Sequence, residues 1–219
     1  MTWIGSGCFV TLAILFIWRV ADLAEACSCA PKHPQQAFCD SDVVIRAKVL
    51  AANKVDVGND VYGNPTKLLK YDIELVTMFK GPSEKIDAIY TPPISALCGL
   101  NLEVEGQMEY LITGKVEKDG IVYVTLCDFI EPWQSMSAIQ QANLNQIYEM
   151  GCDCKITHCM SIPCMLNSEK ECLWTDFFVD NNNGTQAKSF SCIQRTDGSC
   201  AWYWGSSPPE KDFLDIEEP

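Results

Sequence analysis

Ala24-Glu25-Ala26-Cys27-Ser28-Cys29-Ala30-Pro31 is the stretch on which the reading of this chain turns. Ala24-Glu25-Ala26 has the A-x-A form of a signal-peptidase site, and cleavage after Ala26 makes Cys27 the first residue of the mature chain. A free α-amine has an ordinary pKa of about 7.7–8.0, so much of it is uncharged at neutral pH. An uncharged amine and the carbonyl oxygen of the same residue can close a five-membered chelate on a metal ion. A disulfide at Cys27 would hold that chelate rigid and aim it at a metal belonging to another protein.

Upstream of this junction, residues 1–26 read as a secretory leader. The apolar run 8–18 is too short to span a bilayer, and Arg19, Asp22 and Glu25 follow it. The leader lacks a basic N-terminal region, which makes it an imperfect example. A lipoprotein attachment site at Cys27 would want Leu three residues earlier and small residues between, whereas Ala24 and Glu25 occupy those places. The expected product is secreted into the extracellular space and matrix. Without Arg19, Asp22 and Glu25 the mature chain 27–219 has 15 basic and 27 acidic residues, which disfavours nucleic acid or an anionic membrane as the main partner.

Of the 13 cysteines, Cys8 lies in the leader, and the other twelve form an even set, so six disulfides are expected. Their spacing is uneven. Cys27, Cys29, Cys39, Cys98, Cys127 and Cys152 are widely spread, while Cys154, Cys159, Cys164, Cys172, Cys192 and Cys200 crowd into 47 residues. Sparse cysteines suit a domain with its own apolar core, and dense ones suit a small domain that needs staples. The expected division is a leader 1–26, a first domain 27–152 and a disulfide-rich C-terminal domain 153–219.

Stretches 43–51, 69–80, 85–91, 109–116 and 121–129 are rich in Val, Ile, Thr and Tyr and predict strands. Tyr71, Ile73 and Leu75 alternate with Asp72 and Glu74, the period of a half-buried strand. Five antiparallel strands of this length fit a small closed barrel. The segment between the first two, with Gly58-Asn59-Asp60 and Gly63-Asn64-Pro65, predicts a long projecting hairpin. Helices are predicted over 34–41, with Pro at its start, and over 135–150, stopped by Gly151. In the second domain 173–179 and 188–195 read as short strands, and the tail from Ser206 as extended or mobile. The fold class is thus mainly β with helices.

No reacting constellation is present. There is no H-E-x-x-H, no glycine-rich phosphate loop and no G-x-S-x-G elbow, and twelve paired cysteines leave no free thiol. The chain is not expected to be an enzyme or to hold a cofactor of its own. His33 reads as a polar residue at a helix entry, and His158 has no evident role. Asn183-Gly184-Thr185 is a glycosylation sequon in a turn-like run, and Trp202-Tyr203-Trp204 reads as packing for the small domain.

Cys27-x-Cys29-x-Pro31-x-His33-Pro34-Gln35-x-Ala37-Phe38-Cys39 closely resembles the N-terminal signature of the tissue inhibitors of metalloproteinases. The resemblance extends through 44–48, 78–81, 126–128, Glu171-Cys172-Leu173-Trp174 and 197–203, and all twelve mature cysteines fit it. The hairpin 60–65 and the acidic tail 213–219 are closest to one vertebrate branch of that family. By that resemblance the first domain is an OB-type barrel of the netrin-like kind. The implied pairs are Cys27–Cys98, Cys29–Cys127, Cys39–Cys152, Cys154–Cys200, Cys159–Cys164 and Cys172–Cys192; from sequence alone each set of six allows 15 pairings.

The resemblance also implies a mechanism. The Cys27 amine and carbonyl would displace the water from the catalytic zinc of a matrix metalloproteinase, in a one-to-one complex. Ser28 would enter the specificity pocket, with Cys29, Ala30 and Pro31 along the substrate groove. Ser95, Ala96, Leu97 and Cys98 would reach its other side, and Tyr62 would add an outlying contact. Ile94 stands where the nearest relatives commonly have a small polar residue, so that loop edge would select different proteases. Phe213, Asp215, Glu217 and Glu218 resemble a tail that docks a noncatalytic domain of a gelatinase proenzyme. The rival reading is a secreted netrin-like module or signalling ligand acting through a receptor without zinc chelation.

Overall fold

The computed structural model describes residues 27–59, 62–63, 65–104, 106, 108–117, 120–161 and 163–215. The expected leader 1–26, the hairpin residues Asp60, Val61 and Asn64, the turn residues Lys118 and Asp119, and Glu217 and Glu218 of the tail lie outside the described residues.

Helix α1, Pro34–Asp40, begins where His33 caps it: the His33 ring accepts a hydrogen bond from the Gln35 amide at 3.3 Å, and Pro34 supplies a preset φ. It ends at Ser41, whose hydroxyl donates to the Ala37 carbonyl at 2.7 Å. The chain then runs into β1 (Val43–Asn59) and returns as β2 (Pro65–Lys80), a long antiparallel hairpin. Its base is buried at Val43, Ile45, Ala47, Tyr71 and Ile73, and its far half is exposed. Strands β3 (Ala88–Thr91), β4 (Glu109–Val116), β5 (Val122–Tyr123) and β6 (Ile130–Pro132) follow.

The expected five-stranded, all-antiparallel OB-type or netrin-like barrel is corrected here. The hydrogen-bonded sheet has six strands in the order β1-β2-β3-β5-β4-β6, with a further antiparallel pairing of β1 and β4. It is a mixed sheet: β3 and β5 run parallel and meet at one residue pair, Tyr90 opposite Tyr123. The physical reason lies in 121–129, predicted as one strand. Asp128 Oδ2 accepts from both the Thr125 amide (2.8 Å) and hydroxyl (3.0 Å), folding the chain into a turn, and Val122–Tyr123 is all that pairs. The predicted 85–91 strand likewise shortens to Ala88–Thr91.

One face of this sheet packs Ile45, Val49, Tyr71, Ile89, Ile112 and Val124 together. The alternate residues Val44 and Leu111 turn to the other face, against Phe38 of α1, Phe129, Leu144 and Tyr148.

The predicted helix over 135–150 is three pieces: a 3-10 turn Trp133–Ser135, α2 (Ala138–Asn143) and α3 (Ile147–Met150). Ser137 and Gln140 form a reciprocal capping box at α2, and Gln146 (φ −156°, ψ −42°) breaks the helical path before α3. Beyond it, β7 (Lys155–His158) and β8 (Glu171–Trp174) pair in parallel. The predicted strand 173–179 ends early because Asp176 accepts from the Trp174 indole at 2.7 Å and from the Gln186 amide at 2.9 Å, so α4 (Phe177–Asp180) follows. Helix α5 (Thr185–Ser189) leads into the hairpin β9 (Phe190–Gln194) and β10 (Cys200–Trp204). The tail, read as extended or mobile, forms a last turn, α6 (Lys211–Leu214). A third core gathers Ile156, Trp174, Phe177, Ala187 and Cys192, with Trp202 packed against it, whereas Trp204 is 66% exposed.

The dense-cysteine half is stitched to the sheet half by polar side chains of α1 and α2. Gln36 accepts from the Ile156 amide at 3.1 Å, Gln140 donates to the Ala187 carbonyl at 3.1 Å, and Asn143 donates to Ser191 at 3.0 Å.

Candidate functional site

Residues 27–33 form neither helix nor strand, so their position depends on cross-links and side-chain contacts. Two disulfides provide the first of these. Cys27 is bridged to Cys98 and Cys29 to Cys127, with Cα–Cα distances of 5.3 and 5.1 Å, and the Cys27 and Cys29 sulfurs lie 4.0 Å apart. The other bridges are Cys39–Cys152, Cys154–Cys200, Cys159–Cys164 and Cys172–Cys192.

The partner cysteines sit on fixed backbone. Cys98 ends a 3-10 turn, Ser95–Leu97, and adopts a left-handed conformation at φ +64°. Its amide donates to the Ser95 carbonyl at 2.9 Å, and its carbonyl accepts from the Leu126 amide at 2.9 Å. Gly99 follows because the chain folds onto itself there: a Cβ would stand 2.1 Å from the Pro92 carbonyl oxygen. Next, the Leu100 amide donates to Thr91 Oγ1 at 3.0 Å, and the Tyr71 hydroxyl bridges the Leu100 carbonyl (3.2 Å) and the Leu102 amide (2.9 Å). The turn bearing Cys98 is thereby tied to the buried core. Cys127 lies within the Thr125–Asp128 turn, its amide donating to Thr125 Oγ1 at 3.2 Å.

The result is an edge made of two cross-linked segments lying side by side. Ser28 and Ala30 are exposed on one side, and Ile94, Ser95, Ala96 and Leu97 on the other, with Leu97 at 59%. Cys27, Cys29, Pro31 and Cys98 are half-buried beneath. Beside the edge, a cleft of about 230 Å³ runs between Ala30–Pro31 and Asp128–Glu131. Burial pushes the Glu131 carboxyl above the usual carboxylate range, and Lys188 opposes that shift. Tyr62, at the far end of the β1–β2 hairpin, is 87% exposed.

Among the described residues, Cys27, Cys98 and Cys127 are close enough together to surround an ion, as are Cys154, Cys192 and Cys200. Every one of these sulfurs is in a disulfide, and a disulfide sulfur is not the thiolate that binds a metal. Any metal chemistry at Cys27 therefore falls to its backbone nitrogen and oxygen.

Two residues matter more here than their sequence context indicated. His33 is almost fully buried, lies against the rings of Trp174 and Trp202, and its Nε2 donates to the Gln186 carbonyl at 3.2 Å. Burial lowers its pKa to about 4; the Gln186 carbonyl and Asp176 pull it up, and His158 pushes it further down. His158, which had no evident role, donates from Nε2 to the Pro31 carbonyl at 2.9 Å. Its partner is 127 positions away, beyond the reach of any local pattern.

The sequence profile described as "Tissue inhibitor of metalloproteinase" matches residues 25–202. The chain belongs to the tissue inhibitors of metalloproteinases. This member of the tissue inhibitors of metalloproteinases is similar to metalloproteinase inhibitor 2 of Homo sapiens, 55% identical over 211 residues that span 96% of each chain. It is similar to metalloproteinase inhibitor 2 of Cricetulus longicaudatus, at 57% over 196 residues, 89% of this chain and all of the relative. The Gallus gallus protein of the same name is 54% identical over 209 residues, 95% of this chain and 94% of the relative.

Proposed function

We propose that the α-amine and carbonyl oxygen of Cys27, once freed by cleavage after Ala26, chelate the catalytic zinc of a matrix metalloproteinase. The protein is a secreted inhibitor of metalloproteinases, is not an enzyme, and has no cofactor of its own. The zinc reading rests chiefly on the side-by-side bridges Cys27–Cys98 and Cys29–Cys127. They occupy the sulfurs and hold the backbone groups of Cys27 next to an exposed edge. A catalytic zinc with three protein ligands keeps one position for water, and displacing that water removes the nucleophile. Because the segment is already cross-linked, little chain entropy is lost on docking.

In this reading Ser28 enters the pocket beside the zinc, Cys29, Ala30 and Pro31 lie along the substrate groove, and Ser95, Ala96, Leu97 and Cys98 take its other side. Tyr62 adds a contact away from the zinc. The inhibitory half is 27–152 and the accessory half 153–219.

Docking of a gelatinase proenzyme belongs to the accessory half. Phe213 packs edge-on against Tyr203 at 4.8 Å with the Arg195 guanidinium 5.2 Å over its ring, and Leu214 and Asp215 accept from Thr196. This favours Phe213 as the anchor of the tail stem, with Asp215 tied beside it and Glu217 and Glu218 following in sequence as the further docking charges. Asn183, exposed at the end of a 3-10 turn, is the proposed glycan site.

The deciding experiment adds one alanine before Cys27, or acetylates its amine. Inhibition of a matrix metalloproteinase is expected to fall at least a hundredfold, about 3 kcal/mol, with the fold unchanged by circular dichroism. Undiminished nanomolar inhibition by the extended protein would eliminate chelation.

A further inference from the structure

We propose that His158 is a positioning residue for the inhibitory segment: its Nε2–H holds the Pro31 carbonyl, so that a side chain of the dense-cysteine half sets how firmly residues 28–31 are presented.

After Cys29 the chain has no further disulfide until Cys39 and no regular structure until α1. Pro31 has no N–H, so its carbonyl is the only backbone hydrogen-bonding group it offers. Lys32 contributes an exposed ion pair to Asp40 at 3.5 Å, a weak restraint. Among the described residues, the bond from His158 at 2.9 Å is thus the strong polar restraint on the segment between Cys29 and the buried His33.

The donor itself is held in place. His158 is paired with Trp174 across the β7–β8 ladder, and its ring lies 4.2 Å from the Phe177 ring and 5.3 Å from the Trp174 ring. The adjoining Cys159 is bridged to Cys164, and its amide donates to the Trp174 carbonyl at 3.1 Å. His33 returns the contact in the opposite direction, donating from the sheet half to Gln186 of α5. Residues 31–33 are therefore fastened by two histidine bonds that cross between the halves. His33 is in the buried interface, whereas His158 is half-buried beside the exposed edge, where loss of its donor slackens the segment without opening a core.

The inhibition readout rests on the zinc reading; the others do not. In the full chain, His158→Ala is expected to raise amide hydrogen exchange at Ser28, Cys29 and Ala30. It should also speed dissociation from a matrix metalloproteinase catalytic domain about five- to tenfold, the scale of one hydrogen bond. His158→Gln retains an N–H donor and is expected to restore both. Unchanged exchange in His158→Ala, or a His158→Gln as slack as His158→Ala, overturns the proposal. If His158→Ala does not fold, the ring 15N spectrum of the unaltered protein decides: a proton on Nε2 supports it, and the Nδ1–H tautomer overturns it. The alanine-extended protein separates the two ideas, because exchange in the free chain judges His158 whatever happens to inhibition.

Discussion

Gln35 meets Cys192 as a neighbouring strand would: its Oε1 accepts from the Cys192 amide at 2.7 Å, and its Nε2 donates to the Cys192 carbonyl at 2.7 Å. The same Nε2 donates to the Gly151 carbonyl at 3.0 Å. One buried side-chain amide thus completes the backbone bonding of β9, which among the described residues has no strand partner on that side.

Gln35→Ala strands the Cys192 amide and carbonyl in a buried site. Each orphaned group costs about 1–3 kcal/mol, so the variant is expected to lose about 3 kcal/mol in urea unfolding. A loss under about 1 kcal/mol would show that water replaces the side chain.

Gly151 is the counterpart of that contact. A Cβ there would lie 2.1 Å from Gln35 Nε2 and 2.2 Å from the Cys192 carbonyl oxygen. Gly151→Ala is expected to destabilise as much as Gln35→Ala, and the double variant to lose less than the sum of the two. Additive losses in a double-mutant cycle would mean that the two positions act independently.

His33 predicts acid sensitivity. Its pKa is about 4 in the fold against an ordinary 6.5. Between those values the unfolded chain binds the proton and the folded chain does not, so stability is complete above 6.5 and falls as pH drops toward 4. The full effect is about 3 kcal/mol. His33→Asn, which keeps a capping side chain, is expected to flatten the slope of unfolding free energy between pH 7 and 4.5. An equal slope in both proteins would remove His33 as the cause.

The bridges differ in the loops they close. Cys39–Cys152 spans 113 positions and Cys159–Cys164 only 5. Chain entropy predicts that replacing the first pair by serines costs about 5 kcal/mol and the second about 2 kcal/mol. Chemical denaturation of the two double variants would show the ranking, and a reversed order would mean that native packing outweighs loop closure.

Inhibition should weaken as pH falls below the ordinary α-amine range of about 7.7–8.0, because a protonated amine cannot donate to zinc. The inhibition constant, corrected for the protease's own titration, is the measurement. A constant unchanged from pH 8 to 5 contradicts amine ligation.

Several of these features were legible in the residues. The alternation of Tyr71, Ile73 and Leu75 marked β2, and the Pro34 start marked α1. What escaped was decided at long range or by side chains closing turns. Thr125 with Asp128 cut a predicted strand short, and Asp176 turned another into a helix. Gln146 divided a helix that apolar spacing alone would have run together. The parallel pairing of β7 with β8, the exchange between Gln35 and Cys192, and the bond from His158 to Pro31 join positions far apart in sequence, and no local pattern carries them.

On the zinc reading proposed above, the sulfur–sulfur bonds at Cys27 and Cys29 would couple potency to redox surroundings. Both lie at a half-buried margin rather than in a core, so a thiol reductant reaches them before it reaches Cys172–Cys192, whose sulfurs are packed inside. Reduction of these two bonds should then disarm the molecule while Cys172–Cys192 is still closed. Its potency would end on exposure to a cytosol-like thiol pool.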